Sequence, residues 1–187
     1  MKIDIETFKK PCACGHKHDV VVEDIIIEKG AVEKLPEIMK RPSFADKKNV
    51  VMLCDENTYE AAGRKVAELL PGIKTIMLDS RDLHANEKGV GEAKLGLNKV
   101  GAVDLMIAVG SGTIHDITRY HAYNMGIDFI SVPTAASVDG YVSTVAAMTW
   151  NGCKKSFTAV SPLVVVADTD IYSKAPLRLT ASGVSDL

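Results

Sequence analysis

The stretch IAVGSGTIHD, residues 107–116, decides the fold, because an apolar run ends there in a glycine turn and a helical pattern begins. The run over residues 104–109 predicts a buried strand, and the turn Gly110-Ser111-Gly112 follows it. Phosphate-binding turns of α/β sheets occupy this position, since glycine lets the backbone approach a ligand closely. The stretch departs from the G-x-G-x-x-G pattern, because His115 stands where the third glycine would be. Taken alone, the turn is equally compatible with a tight connection that binds nothing.

The residues after the turn predict how the helix begins. Thr113 and Asp116 have the spacing of a capping box, which would start the helix just after Gly112. The first N–H groups of a helix have no partner within it and can bind an anion. Each N–H bonded to a charged oxygen is worth roughly 1.5–3 kcal/mol, against about 0.3–1 kcal/mol for the helix dipole at an exposed site. The free amides would therefore matter more than the dipole.

Strands and helices are predicted to alternate along the chain on both sides of this turn. Residues 20–27 look extended, and short apolar runs predict strands over 50–54, 73–78, 103–109 and 127–133. Helical spacing predicts helices over 58–70, 86–99 and 113–125, with Gly126 as the C-cap of the last one. This alternation is typical of right-handed βαβ units and a parallel sheet. Further strands or a hairpin are expected after Pro133, where polar turns separate apolar stretches.

The composition excludes several classes of function. The chain has 187 residues, is 47% hydrophobic and 25% charged, and carries a formal net charge of −2. Without a basic excess, nucleic acid is not an expected partner. No apolar run is long enough for a membrane span, and the first residues lack the apolar core of a signal peptide. Four cysteines do not form a disulfide framework in a chain of this size, which indicates a reducing, cytoplasmic location.

A second turn rich in small and hydroxyl side chains follows the next predicted strand. This is SVPTAASVDGYVS, residues 131–143, which offers the hydroxyls of Thr134, Ser137 and Ser143 and a carboxylate at Asp139. Turns after two successive strands of one parallel sheet lie side by side at its edge. The coincidence favours a binding site over two unrelated connections.

Four motifs in order carry a resemblance to a known family. They are GSGTIHD (110–116), PTAASVDG (133–140), ADTDIY (167–172) and ASGVSDL (181–187). Together they resemble the N-terminal half of the sn-glycerol-1-phosphate dehydrogenases, within the superfamily of glycerol dehydrogenases, iron-type alcohol dehydrogenases and dehydroquinate synthases. The resemblance covers most of residues 25–187. It explains the missing third glycine, because the phosphate turn of this superfamily follows a later strand and lacks that residue.

The resemblance implies an α/β fold, with a parallel Rossmann-like nucleotide-binding sheet and an added hairpin. This dinucleotide-binding domain would cover residues 1–175. Residues 176–187 would be the truncated start of a helical metal-binding domain whose remainder is absent from this chain. The resemblance further implies a homo-oligomer, namely a dimer.

The resemblance also implies that NAD(H) or NADP(H) is the cofactor. The residues it places along the phosphates and ribose are Gly110, Gly112, Thr113, Ile114, His115 and Asp116. The residues it places towards the nicotinamide are Thr134, Ala135, Ala136, Ser137 and Ser143. Asp55 ends the first strand of this region, where a carboxylate could accept ribose hydroxyls and repel a 2′-phosphate, favouring NAD(H). The alternative for Asp55 is an ordinary strand-end aspartate that caps the residues after it.

Two catalytic carboxylates follow from the resemblance. Asp139 would touch the substrate, and Asp186 would bind a metal and also lie beside the substrate. The two remaining ligands, both histidines, and the substrate's phosphate-binding residues would lie outside this chain. One carboxylate and two imidazoles suit Zn²⁺, Ni²⁺ or Fe²⁺, a cation that polarises a ketone for hydride attack. Because one aspartate cannot hold such a metal, residues 1–187 alone are expected to be inactive.

The implied activity is the NAD(P)-dependent and metal-dependent interconversion of dihydroxyacetone phosphate and sn-glycerol 1-phosphate. This is an oxidoreductase acting on a small phosphorylated substrate. A polyol dehydrogenase of the glycerol dehydrogenase type is the nearest alternative, and dehydroquinate synthase is a more distant one. An alternative of another class is a non-catalytic nucleotide-binding module.

The remaining polar motifs have plainer interpretations. CACGHKHD, residues 12–19, raises the question of a metal, but one residue between Cys12 and Cys14 is fewer than in the usual zinc knuckle, and no second pair follows. We interpret it as a surface or interface segment. His121 is predicted on the helix surface, and it cannot form a ligand pair with His115, about 240° away around the helix. The pair Lys154-Lys155 could attract an anionic substrate, although a solvated pair is the simpler interpretation.

Overall fold

The fold is built on strands that coincide with the apolar runs of the sequence. A computed structural model describes residues 3–16 and 18–187. The strands of this described part are β1 (Asp24–Glu28), β2 (Val50–Asp55), β3 (Lys74–Leu78), β4 (Leu105–Gly110), β5 (Asp128–Pro133), β6 (Val145–Trp150), β7 (Cys153–Thr158) and β8 (Val164–Asp168). Six of them form a parallel sheet in the order β1-β8-β5-β4-β2-β3, and β6 and β7 form an antiparallel hairpin. The predicted α/β class, parallel sheet and added hairpin are confirmed.

The helices follow the predicted alternation. They are α1 (Leu35–Ile38), α2 (Glu56–Thr58), α3 (Arg64–Leu69), α4 (Glu87–Val100), α5 (Gly112–Met125), α6 (Thr169–Tyr172) and α7 (Leu177–Ser185). A π-helical turn over Tyr59–Gly63 joins α2 to α3, so the helix predicted over 58–70 is one segment that starts slightly earlier. Gly126 ends α5 in the left-handed conformation, as predicted for its C-cap. Across the described residues, every helix is too short or too polar to cross a membrane.

Two apolar cores cover the two faces of the sheet. The central strand β4 is buried along its whole length, and its side chains alternate between the cores. Ile107 packs with residues of α1 and α3, and Met106 packs with residues of α4 and α5. Each such side chain contributes roughly 1.5–3 kcal/mol when it is fully buried. This double cover, typical of parallel sheets, holds the turns at the carboxyl edge in place.

The extended stretch predicted over 20–27 is only partly a strand. Strand β1 begins at Asp24, which pairs with Val164 at the start of β8. One more backbone bond, from Glu23 N–H to Leu163 O at 2.7 Å, precedes this pairing. Residues 20–22 lie outside the strand because β8, the one strand that β1 pairs with in the sheet, does not extend alongside them.

The hairpin lies against α5. Its turn, Asn151-Gly152, has positive φ at both residues, 52° and 73°, which is the type I′ geometry that this dipeptide favours. The rings of Trp150 and Phe157 pack against each other with centroids 5.3 Å apart, and both contact Tyr120 of α5. These ring contacts hold both strands of the hairpin against the second half of the helix.

Candidate functional site

The two glycine and hydroxyl turns lie side by side at the carboxyl edge of the sheet. Strands β4 and β5 are neighbours, with Gly110 opposite Pro133 in register. The N–H of Thr134 donates to the carbonyl of Gly110 at 2.9 Å, which joins the two turns directly. The structure thus brings together the two turns that the sequence predicts to share one edge.

The first turn leaves three backbone amides available. Helix α5 begins at Gly112, so the N–H groups of Gly112, Thr113 and Ile114 have no carbonyl partner within the helix. The next N–H, that of His115, bonds to the carbonyl of Ser111 at 3.1 Å. The N-cap is Ser111, and its side chain makes no capping bond. Neighbouring free amides at a helix start form a site for an anion such as phosphate.

The predicted capping box is wrong. Because Ser111 is the N-cap, Thr113 and Asp116 both lie inside the helix, and neither can cap it. Asp116 instead turns towards Arg119, with 3.7 Å between Oδ1 and Nε. The missing cap leaves the free amides open to a ligand.

The ring of His115 lies in the core, below the turn. Nδ1 donates to the carbonyl of Ser111 at 2.9 Å, so Nε2 is the acceptor for the Ser131 hydroxyl at 2.7 Å. Burial lowers the pKa of His115 to about 3, and the imidazole is therefore neutral. Since both nitrogens are occupied, the ring ties the turn to β5 and does not face a nucleotide.

Arg119 is a buried residue of the site that the sequence analysis missed. Its guanidinium donates to the carbonyls of Ser143 at 2.7 Å and Gly140 at 2.8 Å, and also to those of Tyr141 and Val145. Burial lowers the pKa of Arg119 and raises the pKa of Asp116 beside it to about 6. Arg119 thus fixes the backbone of the segment 140–145 through hydrogen bonds from the protein interior. The signal in the sequence was a charged pair three residues apart on a helix that follows a glycine turn.

The second turn combines buried hydroxyls with exposed residues. Thr134, Ala135 and Ser137 are buried, and Ala136 is exposed. The Tyr141 hydroxyl donates to the carbonyl of Ala135 and lies 3.2 Å from the Ser137 hydroxyl. The hydroxyl of Ser143 binds locally to the backbone of Val145. Within residues 134–137, Ala136 is therefore the exposed position.

Two cavities open at this edge. One, of about 430 Å³, is lined by Gly112 and Thr113 of α5 and by Lys154 and Lys155 of the hairpin. Both lysines are exposed, so they add positive charge beside the free amides. Three larger cavities in the described part, about 820, 540 and 460 Å³, lie by α4, by β1 and by the N-terminal residues, and they touch neither turn.

The second cavity at this edge holds the two predicted catalytic carboxylates. It has a volume of about 330 Å³ and is lined by Asp139, Asp186, Asp116 and Ser143, among others. Asp186 is the exposed C-cap residue of α7. Helix α7 comes this close because Gly183 has no side chain: a Cβ there would lie 2.1 Å from the carbonyl oxygen of Ala136. Asp139 and Asp186 are 47 residues apart in the sequence and meet here.

Asp55 lies at the same edge and caps the next helix. Strand β2 is the other neighbour of β4, with Leu53 opposite Ala108. The carboxylate of Asp55 accepts from Thr58 N–H at 2.8 Å, and the Thr58 hydroxyl accepts from Asp55 N–H at 3.0 Å. The capping alternative for Asp55 is confirmed. A contact of its other oxygen with a ribose stays a prediction.

Three side chains named in the sequence analysis lie outside the site. His121 is buried, and its Nε2 lies 3.0 Å from the carbonyl of Val90, so the predicted surface position is wrong. The helix surface at this point is covered by α4, which the spacing within one helix could not reveal. Cys12 and Cys14 are exposed, as expected of a surface segment.

Comparisons with known proteins show which family this chain is similar to. Residues 26–176 match the iron-containing alcohol dehydrogenase family. The glycerol-1-phosphate dehydrogenase (NAD(P)+) of Geobacillus thermodenitrificans is 36% identical over 191 residues, covering 98% of this chain and 46% of the relative. The enzyme of the same name from Bacillus velezensis is 39% identical over 173 residues, covering 90% of this chain and 43% of the relative. The chain thus spans less than half the length of these curated relatives.

Solved structures share the fold. Glycerol dehydrogenase from Schizosaccharomyces pombe matches with a TM-score of 0.70 at 23% identity, covering 87% of this chain and 41% of that one. Alcohol dehydrogenase from Oenococcus oeni matches with a TM-score of 0.72 at 20% identity, covering 88% and 49%. The resemblance found in the four motifs is confirmed, and the chain belongs to the iron-containing alcohol dehydrogenase family.

Proposed function

We propose that this chain supplies the nucleotide-binding part of an oxidoreductase that interconverts dihydroxyacetone phosphate and sn-glycerol 1-phosphate. The observation that carries the proposal is the junction of two cavities at one sheet edge. One has free amides and two lysines, the other has the carboxylates of Asp139 and Asp186, and Asp116 lines both. The curated relatives are named glycerol-1-phosphate dehydrogenases, which supports glycerol 1-phosphate as one member of this pair.

The first cavity would hold the pyrophosphate of NAD(H) or NADP(H). The amides of Gly112, Thr113 and Ile114 would donate to its oxygens, and Lys154 and Lys155 would attract its charge from the hairpin. Three such charge-assisted bonds, at roughly 1.5–3 kcal/mol each, are a large part of a micromolar affinity of about 8 kcal/mol. Gly110 and the amide end of α5 would approach the ribose, as the resemblance implies for Asp116 as well.

The second turn would lie along the nicotinamide half of the cofactor. The exposed position of Ala136 supports this arrangement, because an extended dinucleotide crosses from one strand end to the next. Thr134, Ala135 and Ser137 are buried and would shape the turn from within. Arg119 would act as a positioning residue, since it holds the carbonyls of the segment that follows.

The second cavity would hold the reacting end of the substrate. A divalent cation, when bound, would polarise the ketone oxygen and favour hydride transfer to its carbon. Asp186 fits such a cation as one carboxylate ligand, because it is exposed and faces a cavity with further acidic groups. The other ligands would come from outside the described residues. Asp139 would orient the substrate without contacting the cofactor.

The substrate is tested in the complete protein. NADH oxidation is followed with dihydroxyacetone phosphate and with dihydroxyacetone, in the presence of Zn²⁺ or Ni²⁺. We expect kcat/KM to be roughly 100-fold or more higher for the phosphorylated ketone, because a site built for a charged group is left unpaired by the analogue that lacks it. Equal values would favour a polyol dehydrogenase. NADH binding without turnover of either ketone would favour a non-catalytic module.

A further inference from the structure

A cluster of metal-ligating side chains lies in the N-terminal segment, outside the site described above. The Sγ atoms of Cys12 and Cys14 and a ring nitrogen of His18 all lie within 4.8 Å of one another. Cys14 Sγ is 3.0 Å from Nε2 of His18. Neither cysteine forms a disulfide, and all three side chains are exposed. In the described part of the chain, no other group of three or more such residues comes together in this way.

We propose that Cys12, Cys14 and His18 bind a zinc ion through two thiolates and one imidazole. In a tetrahedral site with Zn–S of about 2.3 Å and Zn–N of about 2.0–2.1 Å, sulfur atoms lie about 3.8 Å apart and sulfur and nitrogen about 3.6 Å apart. The observed separations, 3.0 Å between Cys14 Sγ and His18 Nε2 and at most 4.8 Å among the three ligand atoms, are close to these values. The site is thus nearly formed before the metal binds.

The backbone explains why the short spacing does not prevent this arrangement. Residues 12–15 form a turn, closed by a bond from Gly15 N–H to the carbonyl of Cys12 at 3.0 Å. Gly15 has φ of +76°, a backbone conformation that residues with a Cβ atom rarely adopt. The N–H of Cys14 points at Cys12 Sγ, 3.5 Å away. The turn therefore places both sulfur atoms on one side, which the count of intervening residues did not predict.

The ligand set selects the kind of cation. Thiolates are soft ligands that favour zinc over the magnesium or calcium ions that carboxylates prefer. On binding, the two thiols lose their protons to solvent, so a divalent ion and two thiolates leave the cluster uncharged. The fourth position would be taken by water. This site differs chemically from the proposed centre at Asp186, which offers oxygen and no sulfur.

The test is titration of the purified, reduced protein with Co²⁺, which replaces zinc and reports its ligands by colour. We expect one equivalent to produce a sulfur-to-cobalt charge-transfer band, and Zn²⁺ to displace it. Cys12→Ser and Cys14→Ser should each remove most of the band. His18→Gln should weaken Co²⁺ binding by at least roughly 10–100-fold, the range seen when even an outer-shell partner is lost.

Two variants serve as matched controls. Cys153→Ser removes the exposed cysteine of the hairpin and should leave the band unchanged. Asp186→Asn should leave it unchanged as well, because an oxygen ligand produces no sulfur band. Circular dichroism establishes that each variant is folded. Cobalt binding without the band, a band that survives Cys14→Ser, or a band lost in Cys153→Ser would each overturn the proposal.

Discussion

Gly112 is the residue at which a side chain would harm nucleotide binding most directly. Its N–H is one of the three free amides, and an added Cβ would lie 3.1 Å from Cγ1 of Val138 in the second turn. We expect Gly112→Val to raise the Kd for NADH at least about tenfold, a cost of about 1.4 kcal/mol, less than one charge-assisted bond. Fluorescence titration of NADH measures it. Gly91→Val on α4 enters open space and is the matched control; equal affinity in both variants would contradict the placement.

Asp139 is the residue whose substitution should affect the substrate and leave the cofactor unaffected. It is exposed and lines the same cavity as Asp186. In the complete protein, Asp139→Asn should lower kcat/KM at least about tenfold, equivalent to roughly 1.4 kcal/mol of transition-state binding, with nearly unchanged NADH affinity. Steady-state kinetics and NADH titration are compared with those of Asp46→Asn. Asp46 is an exposed aspartate that lines neither cavity of the site. Lost NADH affinity with normal turnover would place Asp139 at the cofactor.

His115 and Asp116 make opposite contributions to the pH dependence of stability. Burial lowers the pKa of His115 from 6.5 to about 3, so between these values the unfolded chain binds a proton that the folded chain does not. Its contribution to stability is therefore lost as the pH falls below 6.5. Burial raises the pKa of Asp116 from 3.8 to about 6, so the folded chain binds the extra proton there, and its contribution rises as the pH falls. The two effects oppose each other between about pH 6 and 4.

The two residues can be separated by substitution. Urea unfolding of the 187-residue chain is measured from pH 7 to 4. Relative to the unsubstituted chain, His115→Gln should lose less stability on acidification, and Asp116→Asn should lose more. Each proton corresponds to a slope of up to about 1.4 kcal/mol per pH unit. His121, whose pKa burial also lowers, is present in both variants and cancels in the comparison. Parallel pH profiles for all three proteins would contradict the argument.

At the scale of elements, Arg119 joins helix α5 to the segment that follows the second turn. It is 1% exposed and donates to carbonyls of residues 140, 141, 143 and 145. Arg119→Met removes the charged donor that these carbonyls share and the cation beside the carboxylate of Asp116. Removal of one member of a buried charged pair costs about 3–5 kcal/mol, so we expect a loss of that size in the free energy of unfolding. Amide hydrogen exchange should also become faster within 140–145.

Arg64 provides the control for this substitution. Its guanidinium pairs with Glu60 at 2.6 Å, but the two side chains are 59% and 65% exposed. Exposed pairs contribute about 0–1 kcal/mol, so Arg64→Met should have little effect in the same urea titration. Similar losses in the two variants would show that the contacts of Arg119 with the backbone do not stabilise the segment.

At the scale of the whole molecule, we expect the 187-residue chain to fold and to bind NADH without turning over dihydroxyacetone phosphate. A domain of this length buries roughly 70% of its unfolded surface, and the doubly covered sheet supplies that burial. Turnover is not expected, because the catalytic centre would be incomplete. A catalytic zinc site uses about three protein ligands, and Asp186 is the one that we assign. NADH titration and an absorbance assay with Zn²⁺ measure the two activities. Turnover within about tenfold of the complete protein would refute the assignment of Asp186.

Local patterns in the sequence were sufficient to predict the main strands and turns of the fold. The β-branched run at 50–54 and the apolar runs at 103–109 and 127–133 each became a strand, because strand formation depends on residues that are adjacent in sequence. The glycine turn at 110–112 and the cap at Gly126 were likewise predictable, since both depend on local backbone conformation. The adjacency of the two turns followed from the regular order of βαβ units.

The surroundings of individual side chains depended instead on residues distant in sequence. Arg119 finds its carbonyl partners about 21–26 positions away, and His121 is covered by Val90 of another helix. Asp186 meets Asp139 because Gly183 packs against Ala136. Even the short segment with Cys12 and His18 depends on a turn that spacing alone does not specify. Periodicity determines which elements form, but the partners of a buried charge or a ligand are determined by how those elements pack.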